Sequence, residues 1–139
     1  MAMIVVGIDG SPVSEKALRW AVEETRLRAA TLRVVHAWSS PYHGSEIARR
    51  ASDAMHGPLE RAAEETIDAA LGHIVDTDLA VERRVVESLP AQALIEAARG
   101  ADLLVVGARG HGGFADLLLG SVSHQCAQHA PCPVVIVHG

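Results

Sequence analysis

The residues of this chain best suited to chemistry lie in one segment toward its C-terminal end. They read Gly107-Ala-Arg109-Gly110-His111-Gly112-Gly113-Phe-Ala-Asp-Leu-Leu-Leu-Gly120-Ser121-Val122-Ser123, a G-x2-G-x9-G-S pattern. Glycine lets the backbone turn with positive φ and lets another molecule approach it closely. Successive N–H groups in such a turn form a concavity that binds anions. Ser121 and Ser123 add hydroxyl donors that suit phosphate oxygens, and Arg109 is the cation of the loop. Asp9, in Gly7-Ile8-Asp9-Gly10-Ser11, is the second candidate. Its carboxylate can accept hydrogen bonds from a ribose, the role an acid plays in dinucleotide folds, although there it sits on a different strand. A glycine-rich loop alone fits a tight strand-to-helix connection equally well. Its neighbourhood has to decide.

That neighbourhood is an alternation of strands and helices. Residues 4–8 form a short apolar run stopped by turn residues, which fits a strand buried on both faces. Ser11 then precedes Pro12, an N-cap followed by proline at the first helical position. Ala17, Leu18, Ala21, Val22 and Thr25 recur at helical spacing, so residues 12–28 read as an amphipathic helix. Residues 32–37 read as a second strand. Residues 38–57 hold Ser, Pro, Gly, Tyr and His with weak periodicity and read mostly as loop, with a short helix from Glu46. Pro58 opens a clear helix lined by Leu59, Ala62, Ala63, Ile67, Ala70, Leu71 and Ile74. Residues 79–86 read as a third strand, interrupted by Glu82, Arg83 and Arg84 as in a solvent-facing edge. A short helix over 90–98, a strand over 102–106, a helix over 114–127 and a last strand over 134–137 complete the pass.

This order predicts an α/β fold: a single domain over residues 1–139, with a doubly wound, open parallel sheet of five strands, order 3-2-1-4-5, and helices on both faces. In such a sheet ligands bind beyond the carboxyl ends of the strands, where the strand order reverses. The Asp9-Gly10-Ser11 and Gly107–Gly113 loops would meet there. The loop thus follows a strand, opens a helix and faces a second polar strand end, and together these features point to a nucleotide.

Two other phosphate motifs are missing. There is no G-x-x-x-x-G-K-[ST], hence no lysine for the β- and γ-phosphates, and the first strand turn lacks G-x-G-x-x-G. Backbone amides, hydroxyls and Mg²⁺ would hold the phosphates instead. His124, Cys126, His129 and Cys132 have the composition of a metal set. On a helix, however, His124 and Cys126 point about 200° apart, so a four-ligand site would need the helix broken, and no metal site is expected. His111 reads as a solvated loop residue, Asp116 as a favourable charge in a first helical turn, and His36 as a hydrogen-bonded structural residue. No catalytic residue is assigned.

Composition bounds the remaining function classes. A chain of 139 residues buries roughly two-thirds of its unfolded surface, enough for a core without staples. Lys16 is the single lysine, eleven arginines are scattered, and the net charge is −5, which disfavours nucleic acid and anionic membranes. Two cysteines make no secreted disulfide framework, and no leader or membrane-length apolar run is read, so a cytoplasmic protein is expected. Val134, Val135, Ile136 and Val137 form an uncharged apolar edge strand, which invites pairing with a second copy across a two-fold axis.

The chain resembles the universal stress protein family, in its ATP-binding branch. The likeness covers nearly the whole length. It rests on Val6-Gly7-Ile8-Asp9-Gly10-Ser11 with Ala17-Leu18 behind it, on Val34-Val35-His36-Ala37-Trp38, and on Ala101-Asp102-Leu103-Leu104-Val105-Val106-Gly107 with the complete glycine pattern. The tail Ala130-Pro131-Cys132-Pro133-Val134-Val135-Ile136-Val137 is similar to the family's last strand. The resemblance implies that Asp9 and Gly110 face the ribose, and that Ile8, Ala37 and Val106 border the adenine. It implies that Gly107, Arg109, Gly120, Ser121, Val122 and Ser123 line the phosphates, with Gly7 in the same set. Ser88 stands where many relatives carry glycine. The expected function is ATP binding by a homodimeric, stress-response regulatory module. Slow ATP hydrolysis or autophosphorylation, and cyclic AMP binding, are the alternatives.

Overall fold

The computed structural model describes residues 2–39, 45–74, 78–109 and 119–139. Its elements run β1 (Met3–Gly7), α1 (Pro12–Arg28), β2 (Thr31–Trp38), α2 (Glu46–Leu71), β3 (Ala80–Glu87), α3 (Pro90–Ala97), β4 (Leu103–Gly107), α4 (Ser121–His129) and β5 (Val134–Val137). The five strands form one sheet in the order β3-β2-β1-β4-β5, every neighbouring pair parallel, as the sequence predicts.

Successive strand residues point to opposite faces, and here both faces are covered. Ile4, Val6, Leu32, Val34, Leu103 and Val105 pack beneath α1 and α2 through Leu18, Ala21 and Ile67. Val5, Val35, Leu104 and Val106 pack beneath α3 and α4 through Leu94, Ala97 and Cys126. This explains why β1 and β4 read as unbroken apolar runs: Ile4, Val5, Val6, Leu104 and Val105 are all fully buried.

The two edge strands differ. On β3, Arg83 reaches α2, pairing with Glu64 and, at 3.0 Å, with Asp68. Glu82 turns to the other face, where Arg33 of β2 approaches it at 3.1 Å and Arg84 at 3.0 Å. Arg33 also donates to the carbonyl of Ala97 at 2.8 Å, tying the pair to α3. The charges that interrupt this strand are therefore paired on both faces. β5 has none, and all four of its residues are partly exposed.

Two elements depart from expectation. α2 is one continuous helix from Glu46, with Pro58 inside it, rather than a short helix from Glu46 in a loop and a separate helix opened by Pro58. Ser45 caps it by accepting from the Ala48 N–H at 3.0 Å, and Arg50 pairs with Glu46. Proline at position 58 removes one backbone donor, a cost met by an exposed position. Tertiary contacts hold the half before it: His56 lies 2.8 Å from Glu87 and edge-on to Trp38, centroids 5.2 Å apart. Of the helix expected over 114–127, residues 114–118 lie outside the described residues; α4 is described from Ser121 and runs to His129 rather than 127. Residues 119 and 120 are not helical, because the Gly120 N–H is drawn to the carbonyl of Ala108 at 2.6 Å.

Candidate functional site

The carboxyl ends of β1 and β4 form the floor of a crevice. β1 stops at Gly7, paired with Val35, whereas β2 continues through His36, Ala37 and Trp38 alongside β3. At about 3.3 Å per residue this overhang raises a wall of about 10 Å on one side. On the other side β4 ends at Gly107, paired with Val137. Ile8 is buried and its N–H donates to Val35 at 2.9 Å. Nδ1 of His36 lies 2.9 Å from the Ile8 carbonyl, so His36 ties the end of β1 to the overhang.

The loop after β1 closes on itself. Gly10 takes φ of +84°, a region that favours glycine. The Ser11 N–H donates to Oδ1 of Asp9 at 2.8 Å, and the hydroxyl of Ser11 accepts from the Ser14 N–H at 3.2 Å. Ser14 returns a bond from its hydroxyl to the Ser11 carbonyl at 2.9 Å and accepts from the Asp9 N–H at 3.3 Å. Ser11 and Ser14 are both buried, so this polar knot caps α1 from within. Asp9, half-buried, holds the turn with one carboxylate oxygen and stands at the mouth of the crevice.

The opposite wall is the start of α4. Its N-cap is Gly120, and no described side chain caps this end. The first N–H groups of a helix lack partners within it and carry a partial positive charge, which suits an anion. Ser121 is exposed in this first turn, its hydroxyl accepting from Nε2 of Gln125 at 3.0 Å. Val122 is partly buried behind it. Ser123 is buried, and its hydroxyl donates to the carbonyl of Ala108 at 2.6 Å. Gly107 lets the end of β4 lie close against α1: a Cβ there would sit 2.8 Å from Cγ1 of Val13 in its first turn. Arg109 is exposed at the rim.

The structure thus brings Gly7, Ile8, Asp9, Val106, Gly107, Arg109, Gly120, Ser121, Val122 and Ser123 to one edge of the sheet, with Ala37 on the overhang. Gly110, His111 and Asp116 lie outside the described residues. Sequence reasoning missed Ser14 and Ala108. Ser14 follows a turn and a cap at the spacing of a local bond, a signal that was readable. Ala108 acts through its carbonyl, which no residue type announces. Beside the crevice, a groove of about 400 Å³ between α3 and α4 shares Ser121 and Val122 and is otherwise lined by residues such as Leu89, Gln92 and Ile95. Among the described residues no three His, Cys, Asp or Glu side chains gather as a metal set. Cys126 is buried on α4, and burial first, then the neighbouring Cys132, pushes its thiol up to about 11.

Comparison with known proteins agrees with this architecture. The family model described as "Universal stress protein family" matches residues 1–138. The chain belongs to the universal stress protein family. A universal stress protein of Mycolicibacterium smegmatis is 39% identical over 140 residues, covering 96% of this chain and 45% of the relative. The chain therefore spans about half the length of the curated family members it matches. A solved universal stress protein in complex with cAMP is 32% identical with a TM-score of 0.64, covering 99% of this chain and 96% of that one. A family member from Burkholderia pseudomallei is 25% identical with a TM-score of 0.74, covering 98% and 95%. Among the described residues no helix is long and apolar enough to cross a membrane.

Proposed function

We propose that this chain binds an adenine nucleotide, ATP with Mg²⁺ foremost, in the crevice between the β1 loop and the start of α4, as a regulatory module. The observation that carries this reading is the N-terminus of α4, which no described side chain caps, following β4 where the strand order reverses beside β1 and Asp9. The N–H groups of Ser121 and Val122 and the Ser121 hydroxyl would take the phosphates, with Arg109 at the rim. Asp9 would accept from the ribose, and Ile8, Ala37 and Val106 would border the base. Gly110 belongs to the same proposed set. The relative solved with cAMP supports a nucleotide in this family and keeps cyclic AMP as a second reading. Mg²⁺ would neutralise phosphate charge that a loop without lysine leaves uncovered.

Mass spectrometry of ligand released from the purified native protein is the deciding measurement, followed by melting curves with ATP, ADP, AMP and cyclic AMP. Adenine nucleotide in the released fraction and a rise in melting temperature are expected. A protein that carries none and shows no shift with any of the four loses this function. Competition between ATP and cyclic AMP separates those two ligands. Turnover in the wild type that persists unchanged in Ser121→Ala and Gly110→Ala would be a contaminant's.

The apolar β5 edge is proposed to meet a second copy of the chain in the cytoplasm, with Val134, Val135, Ile136 and Val137 across a two-fold axis. A dimeric mass at micromolar concentration is expected, and a monomeric one removes the proposal.

A further inference from the structure

The resemblance groups Ser123 with Ser121 at the phosphates, but the two hydroxyls have different surroundings. Ser121 is exposed in the first turn of α4. Ser123 is 1% exposed. Its single hydroxyl proton lies on a 2.6 Å contact with the Ala108 carbonyl, with the Gly120 carbonyl a longer alternative at 3.1 Å. A serine hydroxyl has one proton to donate. One buried and directed at a backbone carbonyl has none left for a phosphate.

The Ala108 carbonyl receives a second bond at the same time, from the Gly120 N–H at 2.6 Å. A carbonyl oxygen has two lone pairs, so both donors are accommodated. Ala108 is itself fixed, buried and donating its N–H to Val137 of β5 at 2.8 Å. The backbones are close here: a Cβ on Gly120 would lie 3.3 Å from Cα of Arg109 and 3.4 Å from the Ala108 oxygen. Three links therefore meet at Ala108, one from β5 and one each from Gly120 and Ser123. They fix the end of β4 and the start of α4 against each other.

We propose that Ser123 is a positioning residue that does not touch the ligand. It latches α4 to Ala108 and so fixes where the N–H groups of Ser121 and Val122 point. This rests on the nucleotide reading above. Without the latch, Gly120 keeps one bond to Ala108 while the helix start behind it is free to tilt, and the anion loses its preorganised donors. The expected loss of ATP affinity in Ser123→Ala is about fivefold to tenfold, the scale of one hydrogen bond.

The test compares wild type, Ser123→Ala, Ser123→Thr and Ser121→Ala by amide hydrogen exchange without nucleotide and by ATP titration well below the melting temperature. In Ser123→Ala the Gly120 amide is expected to exchange at least about tenfold faster while Val5 and Val105 in the sheet keep their protection. ATP affinity falls with it. Ser123→Thr, which keeps the hydroxyl, is expected to restore both. Ser121→Ala is expected to weaken ATP without changing exchange at Gly120.

Unchanged exchange at Gly120 in Ser123→Ala, or equal acceleration throughout the sheet, overturns the latch. Faster exchange with unchanged ATP affinity reduces Ser123 to a structural residue and overturns the positioning role. Weaker ATP binding with intact Gly120 protection makes Ser123 a direct contact and also overturns it. A wild type that binds no adenine nucleotide removes the nucleotide reading and the positioning role with it. The exchange data would still show whether the latch exists, so the two failures can be told apart.

Discussion

Two helices begin at the same edge of this sheet and treat their first turn in opposite ways. α1 starts from Ser11, whose hydroxyl accepts from the Ser14 N–H, while Asp9 and Ser14 bind the loop around it. Its end is satisfied from within. α4 starts from Gly120, which has no side chain to offer, and no described side chain caps it. Two of its polar groups face backward: the Gly120 N–H and the Ser123 hydroxyl both bond to Ala108. The difference shows that equivalent positions in a parallel sheet need not do equivalent work. One helix end is closed by side chains of its own loop, and the other, among the described residues, is held from behind by backbone and Ser123.

The sharpest way to break this contrast is to give α4 the kind of cap α1 has. Gly120→Asp places an N-cap carboxylate where an anion would sit, and like charges brought together cost several kcal/mol. Nucleotide affinity is expected to fall on the order of 100-fold, since each 1.4 kcal/mol is tenfold. Gly120→Ala, which crowds Arg109 and Ala108 without adding charge, is expected to lose much less in the same titration. Equal losses would show that crowding, rather than the open helix end, governs binding.

The converse is to uncap α1. Ser11→Ala removes a buried N-cap hydroxyl and is expected to cost about 1 kcal/mol of folding stability in a denaturant titration. Nucleotide affinity measured on the folded protein should stay within about twofold, under half a kcal/mol. A tenfold loss of affinity would place Ser11 in the site and end the division of labour between the two helices.

The smallest effect comes from alkaline pH and reports how α4 is held. The folded protein favours the neutral thiol of Cys126, whose titration is raised from 9.0 to about 11. The folded state therefore has this contribution in full below pH 9 and loses it as pH climbs through 11. Amides of α4 are expected to lose protection over that window before those of α1, and Cys126→Ala should abolish the difference. Simultaneous loss in both helices would mean that α4 is not anchored separately.

Much of this was legible in the sequence because it depends on local chemistry. Unbroken apolar runs marked β1 and β4, Ser11-Pro12 marked the start of α1, and the alternation of elements fixed the strand order. The charges of β3 marked an edge, although their partners Glu64, Asp68 and Arg33 come from other elements. The continuity of α2 was hidden, because Gly57-Pro58 reads as a break while His56, Trp38 and Glu87 hold the helix together across the fold. The expected helix over 114–127 is interrupted at residues 119 and 120, where a bond from the Gly120 N–H to the Ala108 carbonyl sets the chain before Ser121.

By itself, then, the sequence determined the sheet, its order and the glycine-rich segment, since these follow from periodicity, turn residues and spacing. The serines were a different matter. Pro12 marked Ser11 as a cap, but Ser121 and Ser123 are the same residue type in one helical turn, and nothing local separates them. Only the tertiary structure decided that Ser121 stands in the open and that Ser123 is buried against a carbonyl fifteen residues back. A hydroxyl proton is directed by whichever acceptor the fold brings within reach, and that acceptor lies on another element.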